Sequence, residues 1–266
     1  MTLTFRTLCT YMAVAKADID KRSEQLLDSQ VGNCHIDSRS LRMGDVFFAF
    51  RGDRVNGEDY VASALEAGAV AVVVSKAYSE IADERIIPVE NVQWALQELA
   101  KGYRNTLNVP IIGITGSVGK TSTKDLLAHV LSDQVAVYKT KGNLNNELGL
   151  PLSVLELTDQ SDLAVLEMGM NHYGEIARLV EIARPQIAII TNIGTAHIEF
   201  FGSREGIFRA KMEIASQLEK EDLLILNAQD DLLCQVVDAQ STYNVVGIGR
   251  PGDPMWAKDI VLNEKG

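Results

Sequence analysis

Short, almost wholly apolar runs alternate along this chain with longer segments of helical spacing. The run DVFFAF at 45–50 predicts a buried strand, and the polar turn RGDRVNGEDY follows it. VASALEAGA then predicts a helix, and VAVVVS at 70–75 predicts another strand. A further helix is predicted over 92–103, after which NTLNVP reads as a linker with Pro110 opening the next strand. From there strand and helix alternate. Strands are predicted at 111–114, 135–138, 163–168, 187–192 and 223–227, with helices at TSTKDLLAHVLS, GEIARLVEIA and REGIFRAKMEIASQL. Nearly all-apolar strands separated by helices indicate a parallel sheet covered on both faces, an α/β architecture. Ligands of such sheets gather at the carboxyl ends of the strands, so the residues that follow each strand carry the functional question. After STYNVVGIG, the segment DPMWAKDIVLNEKG is expected to open a further sheet layer whose partners are absent, as in a truncated chain.

Size and composition narrow the classes. The 266 residues can hold roughly two domains with cores of their own, expected at 1–107 and 108–266. With 46% hydrophobic and 23% charged residues the composition is that of a globular protein and argues against disorder. No apolar run reaches the ~18–20 residues that span a bilayer, and the N-terminal apolar patch lacks a basic leader and a long apolar core, so no signal peptide and a cytoplasmic location are expected. The net charge of −11 disfavours a general nucleic-acid binder but leaves room for a small anionic ligand held by local N–H groups and a lysine. Cys9, Cys34 and Cys234 form no CxxC pair and are expected as free thiols.

The stretch GITGSVGKTST at 113–123 follows the apolar run VPII and precedes a helix, the setting of a phosphate loop. The generic pattern G-x-x-x-x-G-K-[ST] wants glycine at 114, where Ile114 stands, and glycines occupy 113 and 116 instead. The loop's glycines let the backbone curl so that successive N–H groups point at phosphate oxygens, and the following helix N-terminus adds its partial positive charge. Lys120 suits the β/γ-phosphates and the Thr121 hydroxyl suits Mg²⁺; the plain alternative is a glycine-rich turn before a helix. Glu167 ends the strand in LAVLEMGMNH, where an acid would face a metal-bound nucleotide, although many strands end in an acid that only solvates a loop. His197, in IITNIGTAHIEFFGS, sits at the same sheet edge, as a metal ligand or as a structural hydrogen-bonder. Lys211 shares a helix face with Ile207, Ile214 and Leu218. There it either snorkels, or is desolvated so that its neutral amine becomes a nucleophile able to capture CO₂ as a carbamate. In KTKGNLNNELGLP, Asn143, Asn145 and Asn146 suit polar ligand recognition or simply shape a turn, and Arg39, beside Ser38, is either a phosphate partner or solvated.

Taken together these stretches resemble the Mur ligase family. Its loop G-x-T-G-[ST]-x-G-K-[TS] is matched at 113–121, and KGNLNNELGLP, EMGMNHYGEIARL, ITNIGTAHIEFFGS, the AK of FRAKMEI and DSRSLRMGDVFFAFRG extend the likeness over most of 36–231. Within the family, the likeness is to members that add D-alanyl-D-alanine to UDP-N-acetylmuramoyl-tripeptide. It implies a small N-terminal α/β domain for the UDP portion and a central P-loop-type, mostly parallel sheet domain for ATP. The Rossmann-like third domain and the last part of the central one have no counterpart here. It further implies a cytoplasmic, monomeric, ATP-dependent peptide ligase of peptidoglycan synthesis that works through an acyl phosphate and has neither nucleic-acid nor membrane partners. By resemblance, ATP binds Gly116, Ser117, Val118, Gly119, Lys120, Thr121 and Ser122, with Lys120 on the terminal phosphates; Thr121, Glu167 and His197 hold Mg²⁺, and Lys211 is carbamylated. Ser38 and Arg39 fall at the UDP portion, and Asn143, Asn145, Asn146, Asn171 and His172 fall at the muramoyl-peptide. A nucleotide-binding module that has lost ligation, another Mur-type or folylpolyglutamate-type ligase, and a small-molecule kinase are the alternatives; the DSR unit speaks against folate.

Overall fold

A computed structural model describes residues 3–52 and 55–256. The chain divides into two compact units, Met1–Asn108 with Lys141–Gln160, and Val109–Thr140 with Ser161–Gly266. Both are α/β units built on parallel sheets.

In the first unit β1 (Leu3–Thr4) and β2 (Gln30–Val31) pair antiparallel, while β3 (Cys34–His35), β4 (Val46–Phe48), β5 (Ala71–Ser75) and β6 (Ile86–Val89) form a four-stranded parallel sheet in that order. Its helices are α1 (Phe5–Tyr11), α2 (Lys16–Ile19), α3 (Glu24–Leu27), α4 (Val61–Glu66) and α5 (Val92–Arg104). The predicted pattern is what closes the core. Phe47 and Ala49 from β4 and its end, Val72 and Val74 from β5, and Val61 and Ala64 from α4 cluster at 0–2% exposure. Asn91 caps α5 by accepting the Trp94 N–H, and Lys101 and Arg104 in its last turn complement the helix dipole.

The second unit opens with β7 (Ile111–Thr115), α6 (Lys120–Leu131) and β8 (Val137–Lys139). The chain then returns to the first unit for α7 (Gly149–Leu155), which packs on α5; the Tyr103 hydroxyl donates to the Leu157 carbonyl at 2.7 Å. Back in the second unit come β9 (Leu163–Glu167), α8 (Glu175–Ala183), β10 (Ile187–Ile190), α9 (Ile198–Phe201), α10 (Arg204–Met212), β11 (Leu223–Asn227), α11 (Leu233–Val237) and β12 (Asn244–Ile248). The six strands run parallel in the order β12-β11-β10-β7-β9-β8. Ile112, Ile114, Val165 and Ala128 form the buried face under α6.

Several boundaries move for local reasons. β8 starts at Val137 because the Ala136 N–H is taken by the Asp162 carboxylate. β10 stops at Ile190, two residues short of the predicted end, because Thr191 and Asn192 turn to the loop after β7. The predicted helix over 204–218 ends at Met212 and continues as a 3-10 turn, Glu213–Ala215. β6, α7 and β12 were not predicted as elements; β12 joins the large sheet as its edge strand. The expected further layer in DPMWAKDIVLNEKG lies largely outside the described residues. Among the described residues no helix is long and apolar enough to cross a membrane.

Candidate active site

β7 lies between β10 and β9, so the strand order reverses around it. A crevice at the carboxyl ends of the strands is expected at such a switch point, and the Gly116–Gly119 turn leaves β7 there. Gly116 has φ +151° and Gly119 φ +83°. A Cβ on Gly116 would lie 1.9 Å from Thr191 Oγ1, so only glycine fits.

The end of β10 grips this loop. The Ser117 N–H donates to the Asn192 carbonyl (3.1 Å) and the Val118 N–H to Asn192 Oδ1 (3.0 Å). Thr191 Oγ1 and Asn192 Nδ2 both donate to the Val118 carbonyl, at 2.6 and 3.1 Å. The amides of Ser117 and Val118 are therefore engaged. Those of Gly119, Lys120, Thr121 and Ser122, ahead of the first intrahelical bond from the Thr123 N–H to the Gly119 carbonyl, are the ones left to meet an anion at the positive end of α6. Lys120 Nζ donates across the loop to the Gly116 carbonyl at 2.9 Å. Thr115 Oγ1, just before the loop, is buried with no hydrogen-bond partner.

The Thr121 hydroxyl donates to Glu167 Oε2 at 2.8 Å, which joins the first turn of α6 to the end of β9. Glu167 is 3% exposed. A hydroxyl and a carboxylate beside a helix N-terminus are hard oxygen donors, and Mg²⁺ typically takes one or two of these from protein and the rest from phosphate and water. The donor set fits that ion. Among the described residues no three of His, Cys, Asp and Glu converge as a metal cluster.

Lys211 is 3% exposed, and Ile207 one turn before it on α10 is buried with it; Ile214 and Leu218 lie past the end of α10 and so do not continue the predicted helical face, although both are buried. The amine does not snorkel to water. Burial pushes its pKa down from 10.5 to about 7, and the nearby Lys120 ammonium pushes the same way. No acceptor holds it among the described residues.

The other sequence candidates have local surroundings of their own. His197 is exposed with φ +65° at the start of α9, and its ring lies 6.4 Å from that of Phe200. The His172 ring also approaches Phe200 (5.1 Å), and Nδ1 is 3.0 Å from Glu175 Oε1; Glu175 Oε2 accepts the Asn171 N–H. In the first unit, Asn146 Oδ1 accepts the N–H groups of Leu148 and Gly149 and so shapes the start of α7, with Asn143 and Asn145 in the turn before it. Ser38 and Arg39 lie in a 3-10 turn, where Arg39 forks onto Asp37 and holds that carboxyl down at about 2. Thr191, Asn192, Lys124 and Thr140 were missed from sequence. The signal available for the first two was polar residues directly after a strand whose neighbour carries the loop.

Residues 114–266 match the Mur ligase middle domain, and residues 30–104 match the Mur ligase family catalytic domain. The chain belongs to the Mur ligase family. Over 209 residues it is 44% identical to a UDP-N-acetylmuramoyl-tripeptide--D-alanyl-D-alanine ligase of Synechocystis, covering 78% of this chain and 46% of that protein. The Bacillus subtilis protein of the same name is 41% identical over 232 residues, 86% of this chain and 50% of the relative. Among solved structures, MurF from Acinetobacter baumannii matches with a TM-score of 0.88 at 32% identity, over 98% of this chain and 56% of that one. MurF ligase from Thermotoga maritima in complex with ADP matches at 0.80 and 34%, over 91% and 55%. This Mur ligase chain thus spans about half the length of the curated relatives it matches.

Proposed function

We propose that this chain is the UDP-substrate and ATP-binding part of a peptide ligase of peptidoglycan precursor synthesis, one that joins D-alanyl-D-alanine to UDP-N-acetylmuramoyl-tripeptide. The observation that carries the reading is the Thr121 hydroxyl on the buried Glu167 carboxylate, at the foot of a helix whose first amides await an anion. The names of the relatives at 41–44% identity support the same substrates.

In this reading Lys120 leaves the Gly116 carbonyl and turns to the terminal phosphates of ATP, whose oxygens the Gly119–Ser122 amides receive. Mg²⁺ bound at Thr121 and Glu167 would screen the charge between those phosphates and an attacking carboxylate. The carboxylate of the UDP-muramoyl-peptide attacks the γ-phosphorus and ADP leaves. The amine of D-alanyl-D-alanine then displaces phosphate from the acyl phosphate. The neutral Lys211 nitrogen adds to the carbon of CO₂ and gives up a proton to solvent, which turns a potential cation into an anionic oxygen ligand for the same edge. His197 would be a further ligand of the Mg²⁺ ion. In the first unit, Arg39 exchanges Asp37 for the UDP diphosphate next to Ser38. Asn143, Asn145 and Asn146 are assigned to the muramoyl-peptide, as are Asn171 and His172.

The test is chemical. ATP labelled at the γ-phosphate and the UDP-muramoyl-tripeptide should give an acyl phosphate that borohydride traps as the alcohol. Addition of D-alanyl-D-alanine to the reaction supplied with the remainder of the ligase should give the amide. Protein that binds neither ATP nor the UDP-peptide would refute the reading.

A further inference from the structure

Behind the Glu167 carboxylate runs a circuit of hydrogen bonds, two of whose members, Lys124 and Thr140, the chemistry above does not use. Lys124 lies one turn beyond Lys120 on α6 and is 3% exposed; its Nζ donates to the Thr140 carbonyl at 3.0 Å. Thr140 is 1% exposed, and its Oγ1 accepts the Glu167 N–H at 3.0 Å. Glu167 in turn accepts the Thr121 hydroxyl, three residues before Lys124 on the same helix. The loop of contacts closes from α6, through the end of β8 and the end of β9, back to α6.

The circuit departs from the parallel ladder in an informative way. β8 pairs Lys139 with Val165, and the Thr140 N–H continues the pattern onto the Val165 carbonyl. The regular slanted pattern would next send the Glu167 N–H to the Thr140 carbonyl. Here the side-chain hydroxyl of Thr140 takes that N–H, and the carbonyl is turned to the Lys124 ammonium. The chain leaves the large sheet at this residue, since Lys141 already belongs to the first unit. A buried ammonium is costly, and its nearest carboxylate, Asp125 Oδ1 at 3.6 Å, is held by Lys139 at 2.7 Å. An apolar side chain would fill the same space more cheaply, so the retained amine calls for a role.

We propose that Lys124 and Thr140 are positioning residues that fix the backbone of Glu167, so that its carboxylate meets Thr121 and a divalent cation bound with nucleotide. The inference rests on the nucleotide reading of this sheet edge.

Calorimetric titration of the whole chain with ADP, over a series of Mg²⁺ concentrations and in EDTA, tests it. Thr140→Val keeps the shape and removes the acceptor. The Mg²⁺ concentration that half-restores tight ADP binding should rise about tenfold, while ADP affinity in EDTA stays within about twofold of the parent protein. Thr140→Ser, which keeps the hydroxyl, should return the Mg²⁺ dependence to within about twofold. Lys124→Met should shift it in the same direction as Thr140→Val, and it supplies the answer if the valine variant does not fold. Parental Mg²⁺ dependence in the folded variants, even with a lowered melting temperature, overturns the inference and leaves only a structural tie. Serine behaving like valine overturns it equally. A parent protein that binds no ADP at any Mg²⁺ concentration refutes the nucleotide reading itself, and this inference falls with it.

Discussion

Replacing Lys211 by methionine should stabilise the protein, by an amount that depends on pH. The amine is 3% exposed, and burial together with the Lys120 ammonium lowers its pKa from 10.5 to about 7. At ~1.4 kcal/mol per pKa unit, that displacement is a penalty of about 5 kcal/mol for holding the proton in the folded state. Between pH 7 and 10.5 the unfolded chain binds a proton that the folded protein has released, so the stability of the parent rises with pH across this window. Below pH 7 both states are protonated and the whole penalty is present. Methionine fills similar volume without a charge. The variant's advantage should therefore be greatest at pH 7 and below, and should shrink by ~1.4 kcal/mol per pH unit above it, to about 2 kcal/mol at pH 9. Urea denaturation of both proteins from pH 6 to 9 in CO₂-free buffer measures this. Lysine labelled with ¹³C at Cε gives the amine's titration directly, as the resonance missing from the variant. A stability difference that does not change with pH, with every lysine titrating above pH 10, would refute the reasoning. The chemical counterpart follows from the same value. At pH 7.5 roughly three-quarters of the Lys211 amine would be neutral, against about one in a thousand for an ordinary lysine. ¹³C-bicarbonate should accordingly give a carbamate resonance in the parent and none in Lys211→Met.

Three further outcomes test the surrounding geometry. Thr121→Val removes the donor to Glu167 Oε2 and should weaken ADP binding in Mg²⁺ about tenfold or more by calorimetry; unchanged affinity would refute the assignment. Gly116→Ala forces a Cβ to 1.9 Å from Thr191 Oγ1 at φ +151°, so ADP binding should be lost and stability should fall by about 2–4 kcal/mol in urea melts; a fully stable, nucleotide-binding variant contradicts the loop conformation. Glu213 accepts the N–H groups of Gly174 and Ala177 at the start of α8, so Glu213→Ala should cost about 1–2 kcal/mol and speed amide exchange at the head of that helix; exchange at the parental rate would dismiss the cap.

What could be read in the sequence divides by how local its cause is. β11 was predicted at its observed limits because charged residues precede its apolar run and a polar turn follows it. β6 was missed because Pro88 argues against a strand, yet β6 is the edge of the small sheet, where a missing N–H is harmless. α7 was missed behind its asparagines and Pro151, although proline in a first helical turn forgoes only an N–H that has no intrahelical partner. Lys120, Thr121 and Glu167 were legible because each ends a strand or opens a helix at the sheet's carboxyl edge. Lys211 was legible as a charge on an apolar face, and only the structure decides between snorkelling and burial.

The residues that hold those groups in place follow from strand order, which no short stretch encodes. Asn192 grips the phosphate loop only because β10 lies beside β7, and Thr140 reaches the Glu167 N–H only because β8 lies beside β9. Neighbours that come late in the chain thus shape both sides of the site. That makes the loop's conformation a property of the whole sheet rather than of its own glycines. A substitution at Asn192, some seventy residues from the loop, removes two of its four ties to the Val118 and Ser117 backbone and leaves GSVGKT intact. If the glycines alone set the conformation, Asn192→Ala would bind ADP as the parent does. If the sheet sets it, as the hydrogen bonds require, affinity falls although no group that meets the nucleotide has changed.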